Sequence, residues 1–475
     1  MPESPEIAHF DDDTTAIEEG AFAGSATLHE VVFPQHLQSI GNGAFYACKL
    51  LKKIDLQSGV VSIGDDAFSN CSNLSLVTLG NNLKYIGHFA FAATAIKHFA
   101  FPPSIEDFGD FLFAYCRSLV SVDIPVAIEY LSGSLFRGCT ALQSINVEKG
   151  NAKLKSLSGV LYSADERVLI YAPNQAVGTQ YVIPYGVEQI DDSAFADCEL
   201  LESLTIPPTV VEIGLSALRR CKNLREIRTD DDGLFVNRNG MLCSASDTRL
   251  VVVPPRTDIK HINLPSSITT IDEGALAYNQ TVEKISINST IVTLSNRFAY
   301  KDIALTEVYL PQCIEVIGSA AFTGCKSLKT CDLPTNITTI MHHAFAGCVN
   351  LPAPFFPDGL VTIEDSAYSE CTSFENIEFP DSLEYIGNEA FMGCENLQNV
   401  DFSANLKQIG NGAFSMCDLR QVVIPDSVMK IGNYAFAECE NLEFVSLPNH
   451  IDVPEDAFYG CENLKTISKR NPADK

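Results

Sequence analysis

Cysteine returns at a fixed interval in this chain, and that interval leaves little freedom in the fold. Cys325, Cys348, Cys371, Cys394 and Cys417 follow one another at 23 residues, and Cys439 and Cys461 continue at 22. Cys48 and Cys71, Cys116 and Cys139, and Cys198 and Cys221 are also 23 apart. Three residues before these cysteines, and at the same place in coils where another residue replaces the cysteine, runs a ladder of aromatic or leucine residues, 17 positions from Phe22 to Phe458 that include Leu276 and Phe298. Self-similarity at such a period marks a solenoid, because one coil cannot bury its apolar residues except against its neighbours. The 475 residues would by length alone suggest about three globular domains; the repeat replaces them with one elongated domain.

The stretch Ile386 to Phe402, IGNEAFMGCENLQNVDF, shows the unit. Val400 and Phe402 alternate with Asn399 and Asp401 as a half-buried strand requires. Leu383 and Ile386 form a second apolar piece, followed by Gly387; glycine recurs there at Gly41, Gly64, Gly87, Gly214, Gly318, Gly410 and Gly432. The expectation is that these glycines supply a positive φ at a tight corner. Proline closes the first strand in most units, as at Pro380 and Pro425. The segment from Asn388 to Asn396 is too short for a regular helix and predicts a tight turn or a single helical turn. The cysteines point inward in parallel and act as small apolar core groups in reduced form.

The pattern Ile-Gly-x-x-Ala-Phe-x-x-Cys-x-x-Leu-x-x-Val-x-Ile-Pro resembles that of the BspA-like leucine-rich repeat family, over roughly residues 15 to 468. The resemblance implies a β-rich repeat solenoid, a right-handed leucine-rich repeat superhelix of about 17 coils of 22–23 residues with two inserted β-hairpin islands. It also implies a role in adhesion to host or matrix proteins or to other cells, often from a microbial or protist cell surface.

Along the chain, residues 1–14 read as a disordered lead and residues 15–147 as the first block of repeats. The period then breaks twice. Residues 148–184 hold one hairpin island, GVLYSADERVLIYAP, and residues 229–265 a second, GMLCSASDTRLVVVPP, each two strand-like runs about a polar turn. Their lead-ins, Glu148 to Ser158 and Thr229 to Asn239, read as loops, so the hairpins are expected to project from the coils or cover an edge, or else to be irregular coils. Repeats fill residues 185–228 and 266–468, and 469–475 is a tail. Ile271 to Leu310 is the most degenerate region, with Arg297 and Lys301 where apolar residues or Cys usually stand; Pro352 and Pro354 occupy the place of a first strand.

The formal net charge is −28, from 60 acidic and 32 basic residues. Phosphate backbones and anionic membranes reward the opposite sign, which argues against nucleic acid and against membrane insertion. The same charge keeps a long solenoid soluble and monomeric. The N-terminus lacks the basic and apolar regions of a secretory signal, which points to the cytoplasm, whereas the resemblance points to the cell surface.

No metal spacing, phosphate-binding loop or hydrolase motif occurs, and no cofactor is expected. Cys243 and His261, at the second island, are the one pair to consider as nucleophile and base, with nothing to orient them. The outward strand positions form a mostly small and acidic stripe, interrupted by Tyr309, Phe355, Val423 and Phe444. Apolar anchors of this kind are typical of protein contacts, so these four are the candidate binding residues, with Phe355 alternatively packed under its prolines. The reading is a non-enzymatic leucine-rich repeat interaction protein that binds a protein or glycan ligand along its strand face. An intracellular scaffold is the alternative, and an enzyme built on the islands a third.

Overall fold

The computed structural model describes residues 6–56, 59–288 and 290–470. The chain divides into two compact units, Met1–Phe235 and Val236–Lys475. In each, coil stacks on coil through short parallel strands. The first unit carries corner strands Ala16–Ile17, Ser39–Ile40, Ser62–Ile63, Tyr85–Ile86 and Asp107–Phe108 in one sheet, and the second a seven-stranded sheet from Thr293–Leu294 to Lys430–Ile431. Paired residues sit one period apart, as in Ile363↔Ile386↔Ile409.

The turn segment is a backbone ladder of its own. The amides of Gly43, Phe45 and Ala47 donate to the carbonyls of Asp65, Ala67 and Ser69 on the next coil at 2.7–2.8 Å. Ala320, Phe322 and Gly324 do the same to His342, Ala344 and Ala346. Only alternate residues donate forward, which needs a left-handed residue on either side of the buried aromatic: Gly43 and Ala47 lie at φ 57° and 56°, Ala320 and Gly324 at 55° and 72°. The aromatic between them stacks on its counterparts, with ring centroids of Phe322, Phe345 and Tyr368 5.1 Å apart. The cysteine that ends the turn donates its thiol back to the carbonyl of an earlier coil, Cys348 to Phe322 at 3.2 Å and Cys371 to Phe345 at 3.2 Å.

This ladder corrects the reason for the corner glycines. None of the eight has a positive φ. A Cβ at Gly410 would lie 2.4 Å from the carbonyl carbon of Gly387 and 2.5 Å from the amide of Asn388, so backbone of the preceding coil occupies the side-chain space. The left-handed sites are instead filled by many residue types, His343 at φ 54° among them.

The ladder also corrects the register of the degenerate region. Leu276 donates to Phe298 and Ala299 to Ala321, so Ala299 holds the aromatic position and Phe298 the alanine position beside it. Phe298 accordingly meets Phe322 edge-on at 6.0 Å and does not join the stack. Arg297 and Lys301 take the two left-handed sites, φ 52° and 54°. The cysteine rung falls on Asp302, whose exposure is 0%. Its Oδ1 accepts from the amides of Ala304 and Leu305 at 2.9 and 3.0 Å, as Asn279 Oδ1 one coil earlier accepts from Thr281 and Val282. Asn279 then donates Nδ2 to the Pro254 carbonyl at 3.2 Å, whereas Asp302 Oδ2 is buried with no partner.

The islands are threaded into the stack. Val160–Ser163 and Val168–Tyr171 pair antiparallel, and Val168–Tyr171 then pairs in parallel with the corner strand Gln189–Ile190. In the second unit Met241–Ser244 pairs with Arg249–Val252, which adds in parallel to Thr270–Ile271. Each hairpin therefore supplies the corner strand of one further coil and does not project. The physical cause is burial on both faces, since Val160, Leu161, Tyr162, Leu169, Ile170 and Tyr171 are all in the core. The lead-ins contain strands too, Leu154–Leu157 and Phe235–Arg238.

The ends extend further than expected. Ile7–His9, inside the presumed disordered lead, pairs with Glu30–Val32 and buries Ala8, and Thr466–Arg470 runs into the presumed tail against Phe444–Pro448. The rest of both expectations, residues 1–5 and 471–475, lies outside the described residues.

Two measurements test this account. Gly410→Ala should lower stability by about 1–3 kcal/mol through overpacking in chemical denaturation, while His343→Gly should be neutral or stabilising by up to about 1 kcal/mol; equal effects would remove the close-approach explanation. Burial pushes the Asp302 carboxyl up to about 8. Its unfolded value is about 3.9, so unfolding releases a proton and stability falls as pH rises between those two values, by up to about 1.4 kcal/mol per unit. Asp302→Asn should remove that slope, its advantage over wild type growing from pH 5 to pH 8; parallel curves would show that Asp302 does not titrate in this way.

Candidate functional site

The first-strand face of the second unit is interrupted at two places. Residues 352–356 form no strand, because Pro352 and Pro354 have no amide to donate. Strands Asn399–Asp401 and Gln421–Val423 fall in different sheets, where Cys417-Asp418-Leu419 is one residue shorter than the usual Cys-x-x-Leu connection. Between and beside these interruptions lies an open groove of about 930 Å³.

Strand alternation sets its lining in two rows. Asn376 pairs with Asn399 and Glu378 with Asp401, so amides line up in one row and carboxylates in the other. Asn399 Nδ2 donates to Asn376 Oδ1 at 2.7 Å, which fixes that pair of amides. Gln421 continues the amide side, Val423 and the 84% exposed ring of Phe355 bring apolar surface, and Asp426 and Arg470 close one end. Arg470 reaches back to donate to the Ile424 carbonyl and stands 3.6 Å from Asp426. The wall thus presents amide donors and acceptors, three carboxylates against one guanidinium, and one bare aromatic ring. A groove of that chemistry suits a ligand with hydroxyl or ammonium donors and a flat apolar face.

The four sequence candidates separate. Phe355 and Val423 line the groove, and Phe355 is not packed beneath its prolines. Tyr309, 43% exposed, is not among the lining residues; Lys284 Nζ lies 4.5 Å from its ring centroid and its hydroxyl donates to Glu307 at 2.8 Å. Phe444, 36% exposed, pairs with Gln421 on the neighbouring strand and is likewise not in the lining. Arg470 and Asp426 were missed, Arg470 because it fell in the assumed tail; the alternation of Thr466 to Arg470 was the available signal.

Cys243 of the island pair is not poised as a nucleophile. Cys243 is 3% exposed, and burial pushes its thiol up to about 11, with Asp247 adding to the rise. His261 is exposed on a strand and pairs in register with Lys284. Among the described residues no group of three or more His, Cys, Asp or Glu could hold a metal ion, and no helix is long and apolar enough to cross a membrane.

Residues 5–120, 50–158, 174–247, 255–375 and 361–473 match the family described as BspA type leucine rich repeat region (6 copies). This chain belongs to the BspA-type leucine-rich repeat family. Solved structures similar to it include a leucine-rich repeat protein from Eubacterium ventriosum, 22% identical with a TM-score of 0.46, over 77% of this chain and 83% of that one. The Pneumococcal vaccine antigen PcpA is 20% identical with a TM-score of 0.41, over 72% of this chain and 75% of that one. A leucine-rich repeat protein from Bacteroides ovatus is 24% identical with a TM-score of 0.30, over 98% and 91%. No curated protein matches. BspA-type chains are repeat proteins for interaction and are generally not enzymes.

Thiol reactivity checks the electrostatics. Cys461, whose thiol donates to the Phe436 carbonyl at 3.1 Å, is partly exposed, whereas Cys71 and Cys243 are buried and burial raises their pKa values, that of Cys71 to about 12. Iodoacetamide on the native protein should modify Cys461 well before Cys71 or Cys243, and Cys461→Ser should remove that fast phase in peptide mapping. Rapid labelling of Cys243 would reopen the nucleophile.

Proposed function

We infer that this chain is a non-enzymatic adhesion-type interaction protein that holds a protein or glycan ligand in the groove on the first-strand face of its second unit. The observation that carries this reading is the juxtaposition of the exposed Phe355 ring with the ordered Asn376–Asn399 amide pair and the Glu378–Asp401 carboxylates. An aromatic ring offers stacking area at small entropic cost, and the amides and carboxylates beside it supply direction, the combination found at binding hot spots. Val423 extends the apolar floor. Tyr309 and Phe444 remain secondary candidates at the edges of the same face.

The test is a glycan array and a panel of immobilised matrix proteins, probed with wild type, Phe355→Ala and Asp401→Ala. A ligand of this groove should lose about tenfold or more in affinity with either variant, the usual cost of removing an anchor worth about 1–2 kcal/mol. Unchanged binding by both variants to every captured ligand would move the site elsewhere.

A further inference from the structure

The groove of the second unit carries part of an arrangement that this chain completes elsewhere. Phe355, Glu378 and Asp401 follow one another at 23 residues and Val423 follows at 22, so one outward row reads ring, carboxylate, carboxylate, valine. Glu378 and Asp401 are exposed and pair in register, which sets their backbones one strand spacing apart, about 5 Å.

Elsewhere in the same unit, a ring beside a carboxylate is joined by a lysine of this chain. Lys284 Nζ lies 4.5 Å from the Tyr309 ring centroid and 2.8 Å from Glu307 Oε2. Lys407 Nζ lies 5.9 Å from the Tyr385 centroid and 2.6 Å from Glu384 Oε2. In each group one cation meets the negative face of a ring and a carboxylate together. The groove has the ring and the carboxylates, but among the described residues no lysine or arginine pairs with Glu378 or Asp401 or lies against Phe355. The guanidinium in the lining, Arg470, stands 3.6 Å from Asp426 and donates to the Ile424 carbonyl, so it is engaged at the end of the groove. Two carboxylates beside an exposed ring are left without a counter-charge.

A ligand that seals the groove has to answer that charge. It strips water from both carboxylates, which is costly unless a cation replaces the water. A neutral sugar brings hydroxyl donors and no charge, and an acidic sugar adds repulsion. A guanidinium suits all three groups, because its flat face stacks on the ring while its fork of N–H groups donates to carboxylates. In the neighbouring row the Asn376–Asn399 amides offer the donors and acceptors that an extended peptide backbone needs. The net charge of −28 draws a cationic partner in.

We propose that the groove receives an arginine carried on an extended protein segment, with its guanidinium on the Phe355 ring and against the Glu378 and Asp401 carboxylates. This rests on the reading of the groove as the ligand site and names the chemistry of the ligand.

Fluorescence polarisation on the full chain, with EDTA present, tests it with a labelled peptide of alternating arginine and serine and with the same peptide carrying citrulline, the neutral isostere, in place of arginine. The arginine peptide should bind saturably, more weakly at high than at low sodium chloride, and about tenfold or more tightly than the citrulline peptide. The double variant Glu378→Gln/Asp401→Asn should weaken it by about tenfold or more. Phe355→Leu, which keeps apolar area but loses the ring face, should weaken it several-fold. Asp123→Asn removes an exposed carboxylate at the corresponding strand position of the first unit and should leave binding unchanged, which separates a site from general attraction to an acidic surface. Citrulline binding equal to that of arginine, or equal losses with Asp123→Asn and the double variant, would overturn the proposal. If the arginine peptide fails while a neutral glycan loses binding with Phe355→Ala but not with the double variant, the groove stands as the ligand site and this inference alone falls. If no ligand responds to any of these variants, both readings fall.

Discussion

Everything in this molecule rests on the alternating hydrogen bonds by which one turn segment seizes the next. A turn that donates forward with every second amide and accepts backward with the residues between must place left-handed residues on both sides of its buried ring, as at Gly43 and Ala47 around Phe45. Such residues are costly in isolation for any side chain but glycine. The cost is tolerated because both neighbouring coils impose it, together with ring stacking and the thiol bonds from Cys348 or Cys371. The closeness demanded by these bonds also explains Gly410, whose side-chain space belongs to its neighbour's backbone.

The same constraint locates the places where the molecule is unlike itself. Where proline removes strand donors at Pro352 and Pro354, and where the connection to Leu419 loses one residue, the strand face opens and the groove with Phe355 appears. Where an island coil omits the turn segment, Asp197 has to reach across to the Gly138 amide and a small cavity remains. Where aspartate takes a rung designed for a thiol, a carboxyl oxygen is left without the partner that Asn279 Nδ2 finds. A repeat lattice makes polar irregularities conspicuous, since each regular position shows what the irregular one lacks.

The period, the ring ladder, the inward cysteines and the strand alternation were legible in the sequence because each depends on residues within one coil. The features that were misread depend on what an adjacent coil presents. Phe298 looked like a ladder residue because it is aromatic, but backbone pairing assigns that position to Ala299. The corner glycines looked like turn formers, and only the backbone beneath them shows a space requirement. The hairpin islands were recognisable as hairpins, yet their parallel pairing to Gln189–Ile190 and Thr270–Ile271 is a contact across the polar turn and beyond it in sequence. For the groove, alternation placed Phe355, Val423, Tyr309 and Phe444 outward alike; the interruption that brings only the first two into one lining became visible with the strands in place.

The interlocking turns also constrain how such a gene can change. Deleting or duplicating one whole coil by recombination between repeats returns every left-handed position, ring and carbonyl to an equivalent counterpart, as the unbroken pairing Ile363↔Ile386↔Ile409 illustrates. Loss of one residue within a turn shifts donors onto acceptorless positions along the whole segment. Heritable variation in length should therefore come as whole coils or fall in the connections, as the residue missing from Cys417-Asp418-Leu419 does, and variation in recognition should fall on the outward strand positions and the rare coils that break the rule.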